Sequence, residues 1–389
     1  MKIKRFIVSL IVLVCLQSTH SSADLRFAVL CDSRSFPEYA KCSENNGGVS
    51  LSLGVVVEDI VDKHKSGAIG LMLFPGDMIA GYYMRDASSI AECNRQSLTR
   101  WREIVGPVLS AGIALRVTVG NHEVLGFQPS WANILSGKNR PYTPELANFA
   151  VFKEVLGDML AGNPGPTSDM GLTYSFDLDD CHFAVLTAYT MYENNSFSNE
   201  TIKWLENDLG KAQAERRKIF VVSHPPAFPG GGHMWDSLPF YDPQYDWDGY
   251  DGRFGIDHRT ERDRFWNILK KHGVIAYFCG HEHNIQVQQV EGVWHVISGG
   301  LTPKLYPLNG SENDKRKNTI LYNGEFQNQR ASVNWPWNNG RKSYAGWCLV
   351  NVQSDKVTME VFGSEKPPKN KSEMDLLKVF ELWKTVPEK

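Results

Sequence analysis

A chain of 389 residues with 42% hydrophobic and 22% charged side chains has ample surface to bury and is neither disordered, collagen-like nor a coiled coil. Its 41 basic residues against 44 acidic ones give a formal charge of −3. That balance removes the electrostatic basis for binding a nucleic acid duplex, since phosphate-backbone affinity needs concentrated Lys and Arg, but leaves room for a locally positive site and a small phosphorylated substrate.

The first predicted element is a secretory signal over residues 1–23. Lys2, Lys4 and Arg5 precede a largely apolar run from Phe6 to Leu16, and Ser21 and Ala23 stand at the small-residue positions of a cleavage site. The run is shorter than the roughly 20 residues that span a bilayer. Cleavage after Ala23 is therefore expected, with no stable membrane anchor and a secreted or periplasmic product. A lipoprotein reading through Cys15 is weaker, because Val14 stands where such signals want a small residue. Cleavage removes three positive charges and no negative one, leaving a formal charge of −6.

Beyond it, short β-rich runs alternate with helical patterns, as in an α/β layered fold. Strands are predicted at Leu25–Cys31, Gly70–Phe74, Ala114–Val119, His182–Thr187, Lys218–Ser223 and Val274–Cys279. Helices are predicted at Asn199–Ala212, with Ile202, Leu205, Leu209 and Ala212 on one face, and at Thr260–His272, followed by Gly273 as a C-cap. After Asn284 strands dominate: Ile285–Val290, Trp294–Ile297, Gly346–Val352 and Val357–Phe362. Two long loop insertions, 225–258 and 301–343, interrupt a domain spanning 24–364. The tail 365–389 reads as a Pro-Pro linker and a short helix, capped by Ser372 and running through Trp383.

Six cysteines follow the signal, and an even number in an exported chain permits disulfides. Cys31 and Cys279 end apolar runs and are expected to be buried. Cys42 and Cys93 lie in polar sequence and are the favoured bridge, although spacing alone does not fix connectivity. The absence of any CxxC pair argues against a zinc knuckle.

Five motifs fall where strand-like runs end: CDSR at 31–34, PGD at 75–77, GNHE at 120–123, SHPP at 223–226 and GHEH at 280–283. Ligand sites in open α/β sheets collect at the carboxyl ends of strands. Asp32, Asp77, Asn121, His224, His281 and His283 form a mixed carboxylate, amide and imidazole set that suits divalent or trivalent first-row metals. Singly, each residue reads more simply as a cap, a turn former or a satisfied polar group. Together, in this order and strand context, they are poorly explained by chance. On an extended backbone His281 and His283 would point the same way and Glu282 the other, which makes Glu123 and Glu282 surface or supporting groups rather than ligands. P-loop, GxGxxG, GxSxG and HExxH motifs are all absent.

On these motifs, from Leu25 to about Gly299, the chain resembles the calcineurin-like metallophosphoesterase superfamily, which includes the purple acid phosphatases. The resemblance implies a two-sheet β-sandwich flanked by helices, in four layers, with a dinuclear centre of iron, manganese or zinc. It implies that Asp77 bridges two ions, that Asp32 and His283 bind the first and that Asn121, His224 and His281 bind the second. His122 would act as leaving-group acid or phosphate contact. The reaction implied is hydrolysis of a phosphomonoester or small phosphodiester by attack of metal-bound hydroxide, without a phosphoenzyme.

The sequence departs from that pattern at Arg34, where the superfamily carries a His ligand to the first ion. A guanidinium has no lone pair to offer. Either the first ion binds weakly, or Arg34 clamps a substrate phosphate bidentately, or the centre is mononuclear or inactive. The first two together are expected, because every other position is intact. The additional Tyr ligand of purple acid phosphatases is replaced by Ala80. His233, inside the first insertion, is a further candidate for binding substrate. A non-catalytic exported protein that holds a phosphorylated or sugar ligand on the same fold is the alternative reading.

Overall fold

The computed structural model describes residues 24–35, 45–81, 90–125, 145–191, 196–229, 259–302, 320–322, 345–364 and 368–385. The strands in chain order begin with β1 (Leu25–Val29), β2 (Leu71–Phe74), β3 (Ala114–Val117), β4 (Asn163–Pro164), β5 (Tyr174–Leu178), β6 (Cys181–Val185) and β7 (Lys218–Val222). They continue with β8 (Ala276–Cys279), β9 (Ile285–Val290), β10 (Val293–Ser298), β11 (Ile320–Tyr322), β12 (Gly346–Val352), β13 (Lys356–Gly363) and β14 (Asp375–Lys384). The helices are α1 (Ser52–Ser66), α2 (Ile90–Ser110), the single turn α3 (Asn121–Val124), α4 (Leu146–Leu156), α5 (Asn199–Ala214) and α6 (Arg259–Lys271).

Two mixed sheets form, ordered β14-β13-β12-β1-β2-β3 and β11-β9-β10-β8-β7-β6-β5-β4. Both have parallel centres: β1, β2 and β3 run parallel in the first, and β6, β7, β8 and β10 in the second. The period-two alternation of their strands explains the layering. Leu25, Phe27 and Val29 of β1 join Phe183, Phe220 and Phe278 of the second sheet in one apolar layer, where the Phe27 ring meets those three edge-on at 5.1 to 5.9 Å. The intervening Ala28, Met72 and Phe74 face outward onto helical residues such as Val56, Ile60, Trp101 and Val105. On α5 the apolar face is Ile202, Leu205, Leu209 and Ala212, and Ser198 caps the helix by accepting the Thr201 N–H at 3.0 Å. This is the helix-flanked sandwich expected from the sequence.

The tail requires a correction. The predicted linker and helix after residue 364 contain β14, which pairs along its length with β13 as the outer strand of the first sheet. Phe380 and Leu382, two residues apart, turn inward, and the Trp294 indole N–H donates to the Leu382 carbonyl at 2.6 Å. The capping side chain is that of Asn370, which accepts the Ser372 N–H in a short 3-10 turn. The tail is thus part of the sandwich. The signal and most of both insertions, including His233, lie outside the described residues, as does Cys42. Cys93 is disulfide-bonded, while Cys31, Cys181, Cys279 and Cys348 are buried free thiols. Among the described residues no helix is long and apolar enough to cross a membrane.

Candidate metal centre

The ends of five strands meet at one edge of the sandwich. Asp32 follows β1, Asp77 follows β2 and Asn121 follows β3, all from the first sheet; His224 follows β7, and His281 and His283 follow β8, both from the second. All six side chains are buried. Asp32, Asp77, His281 and His283 each hold positive φ, at 58, 54, 71 and 22 degrees. Half of the described non-glycine residues in that uncommon conformation therefore lie in this cluster, and strain of this kind persists only where the surroundings impose it.

Those surroundings are identifiable. Glu123 in α3 is fully buried, and its carboxylate accepts the Asp77 and Gly120 N–H groups at 2.9 and 2.7 Å and the Met78 and Ile79 N–H groups at 2.8 and 3.3 Å. One side chain thereby fixes two ligand-bearing loops. The sequence reading placed Glu123 outside the ligand set, but its burial excludes the surface alternative. Ser33 donates to the Met78 carbonyl at 2.9 Å and accepts the Trp101 indole N–H at 3.1 Å, tying the loop after β1 to the loop after β2. Gly76 has φ of +92 degrees, and a Cβ there would lie 2.6 Å from the Gly120 nitrogen and 2.9 Å from His224 Nδ1. Only glycine lets these loops approach so closely.

The residues after β8 differ from the extended arrangement expected. The chain bends, with the Glu282 N–H donating to the Gly280 carbonyl at 2.9 Å, and the Asp32 carboxylate accepts the His281 N–H at 2.9 and 3.1 Å. His281 and His283 still serve different clusters. Glu282 is buried rather than pointing to solvent.

Three groups of possible ligands emerge, one of Cys31, Asp32 and His224 and two that share Asp77. Donor atoms of Asp77, His224 and His281 lie within 4.8 Å of one another, and so do those of Asp32, Asp77 and His283, with Asp77 common to both. Asn121 completes the first of these: its Oδ1 lies 3.2 Å from His224 Nε2 and 3.1 Å from His281 Nδ1, and Asp77 Oδ1 lies 3.3 Å from His224 Nε2. Neighbouring donors on one ion with bonds of about 2.0–2.2 Å stand about 3.0–3.6 Å apart, so these three pairs already stand at the spacing an ion would require. His224 gives a second indication. Its Nδ1 meets the Pro75 carbonyl at 2.7 Å, and its Nε2 faces two oxygen acceptors, an arrangement that suits an extra proton or a cation. Burial opposes charging the ring, but Asp77, Asp32 and Glu123 together outweigh it and lift the His224 pKa to about 9. Burial also works to raise Asp77, yet His224 and His122 hold it well below the usual carboxylate range. Asp32, with less compensation, is pushed up by burial to about 6.

Against this geometry, the family model for calcineurin-like phosphoesterases matches residues 53–284. The chain belongs to the calcineurin-like phosphoesterase family. No curated protein matches significantly by sequence. Among solved structures, the purple acid phosphatase PPD1 from yellow lupin (Lupinus luteus) seeds superposes with a TM-score of 0.58 at 12% identity, covering 92% of this chain and 54% of that one. The chain therefore spans about half the length of that phosphatase. A dimetal phosphatase from Danio rerio gives a TM-score of 0.47 at 12% identity, over 93% and 99% of the two chains. GAP50 of Plasmodium gives 0.49 at 11%, over 93% and 90%. At these identities the first likeness is one of fold.

Calcineurin-like phosphoesterases are metal-dependent hydrolases of phosphoesters, and membership implies a dinuclear centre. In this family member the set of Asp77, Asn121, His224 and His281 stands at ion-ligand spacing, whereas the set of Asp32, Asp77 and His283 meets an obstacle. Arg34 is 2% exposed, and its Nε and Nη2 lie 3.1 and 2.9 Å from His283 Nε2, with Nε 3.9 Å from Asp77 Oδ2. The guanidinium sits among the ligands. His122 is buried beside it, its Nδ1 against the Ala80 carbonyl at 2.8 Å and its Nε2 3.8 Å from Asp77 Oδ2. Burial, and then the charge of Arg34, lower its pKa to about 3.

The sequence reading missed His295. Its Nε2 accepts the Ala227 and Phe228 N–H groups at 3.1 and 3.3 Å, and Gln288 Nε2 donates to the Phe228 carbonyl at 2.7 Å. Together they hold the segment that follows His224. A polar His within an otherwise apolar strand, VWHVIS, was the signal available.

Proposed function

We propose that this chain is an exported, metal-dependent phosphoesterase that hydrolyses a phosphomonoester or small phosphodiester at the cluster of Asp77, Asn121, His224 and His281. The observation that carries the reading is the set of four buried donor atoms at ion-ligand spacing, joined to a His224 ring whose two nitrogens both face oxygen acceptors. When bound, iron, manganese or zinc supplies charge neutralisation at the phosphoryl oxygens and an acidified water.

The chain's own residues supply the rest. Asp77 and Asn121 would help hold the ion, and Glu123 holds both their loops in place. His122 keeps its Nδ1 on Ala80, which fixes the ring and presents Nε2 toward the cluster. With Nδ1 held there, Nε2 is the nitrogen that would carry a proton to the departing alkoxide. General acid catalysis of this kind contributes typically ~10²–10⁴-fold. Export is supported by the signal-like sequence of residues 1–23 and by the disulfide at Cys93.

The test is turnover of p-nitrophenyl phosphate and bis(p-nitrophenyl) phosphate by purified protein. Activity should vanish with a chelator, return with metal, and fall ~10²–10⁴-fold in His122→Ala with bound metal unchanged. Protein that binds no metal and hydrolyses neither ester would overturn the proposal. The guanidinium among Asp32, Asp77 and His283 favours one other reading, a non-catalytic binder of phosphorylated or sugar ligands, which predicts ligand retention without turnover.

A further inference from the structure

We propose that Arg34 is a resident cation in the first metal position, so that the protein works with one exchangeable ion, held by Asp77, Asn121, His224 and His281, and one fixed guanidinium. This rests on the phosphoesterase reading of the same site and changes its composition from two ions to one.

Geometry is the first support. The imidazole of His283 has a single in-plane lone pair at Nε2. Arg34 Nε donates to it at 3.1 Å, and Nη2 lies at 2.9 Å, so two guanidinium nitrogens straddle the direction from which an ion would approach. An ion bound there would need to sit about 2.0–2.1 Å from the same nitrogen, inside the space the guanidinium fills. Occupancy by one excludes the other.

Anchoring is the second. Arg34 does not hang from a loose loop: its backbone bridges Val49, the Ser35 N–H donates to the Gly48 carbonyl at 2.9 Å, the Ser50 N–H donates to the Ser33 carbonyl at 2.6 Å, and Ser33 is held by Met78 and Trp101. With the flanking backbone fixed and the side chain 2% exposed, the guanidinium is embedded in the protein rather than swinging at its surface.

Charge is the third. Asp32 and Asp77 are two carboxylates buried beside one another, a pairing that needs positive charge close by. Arginine supplies it permanently, since it does not deprotonate in proteins. A guanidinium presents planar N–H donors suited to phosphoryl oxygens, so a substrate phosphate reaching this centre would be held between one ion and one arginine. The expected weak first metal site is replaced by a site that takes no metal.

The experiment counts ions. The full chain is stripped, reloaded separately with excess Mn²⁺ and Zn²⁺, desalted, and analysed by elemental analysis and native mass spectrometry. One ion per chain is expected, with the six-line EPR signal of isolated Mn²⁺. Arg34→His should raise the count to two and give the multiline signal of a coupled pair. His283→Ala in the otherwise native chain should still hold one, a result that does not depend on the Arg34 variant folding. Two ions in the native chain, a coupled-pair signal without substitution, or loss of the ion on His283→Ala would overturn the proposal while leaving the phosphoesterase intact. No bound ion together with no hydrolysis would overturn both.

Discussion

Replacing Glu123 by alanine tests whether one buried carboxylate holds the centre together. Four backbone N–H groups lose their acceptor, at original distances of 2.9, 2.7, 2.8 and 3.3 Å. Each buried donor left unsatisfied costs about 1–3 kcal/mol, so four give about 4–12 kcal/mol before relaxation. Two effects offset this. Water entering the vacated space satisfies some donors, and the variant no longer confines a carboxylate whose pKa burial, with the charge of Asp77, pushes up to about 7. A net loss of about 3–5 kcal/mol is expected, with Glu123→Gln intermediate because one oxygen remains. Urea denaturation followed by tryptophan fluorescence measures the loss by linear extrapolation. Calorimetric titration with Zn²⁺ should show affinity reduced about 10–100-fold, the usual cost of removing support from a ligand. If Glu123→Ala unfolds within 1 kcal/mol of the native chain and binds metal equally well, the carboxylate is not the organising element argued here.

Gly76→Ala should destabilise by about 2–4 kcal/mol in the same assay, since a Cβ at positive φ meets the Gly120 backbone at 2.6 Å. Phe380→Ala should cost about 3 kcal/mol, because the ring is buried against Trp294 at 6.0 Å between centroids; no change would remove β14 from the core. His182 predicts a pH effect remote from the metal centre. Burial alone would lower its pKa, but Asp208 and Asp177, each at 2.8 Å, raise it above 6.5. The folded state thus holds its proton more tightly than the unfolded chain. The resulting stability is complete below about pH 6.5 and fades as pH rises through the folded value. Denaturation midpoints of native and His182→Asn protein should converge toward alkaline pH; a constant gap would refute this.

Much of the centre was legible because a metal site on parallel strands uses residues with little other reason to follow an apolar run. Asp32, Asp77, Asn121, His224 and the GHEH pair all break apolar runs where the strand stops, and Gly76 and Gly120 mark loops that must approach closely. What the sequence concealed depends on contacts distant along the chain. That Arg34 rests on His283 requires knowing where a residue 249 positions away comes to lie. Glu123 looked peripheral because its partners are backbone groups, which no motif displays. The tail misled for a local reason: in DLLKVFELWK the apolar residues satisfy helical as well as alternating spacing, and only pairing with β13 decides between them. The β-branched run in α1 similarly obscured a helix whose stability comes from packing against the sheet.

The ligand set fitted to an ion is divided between the sheets: Asp77 and Asn121 belong to one, His224 and His281 to the other. A cation held there would be a noncovalent staple across the seam of the sandwich, adding to the apolar packing, hydrogen bonds and cation–π contacts that join the two sheets among the described residues. Loading would then brace the whole molecule against opening by an amount that grows with the logarithm of free metal. In an environment poor in metal the same protein would lose cohesion, so that its lifetime would report how much metal surrounds it.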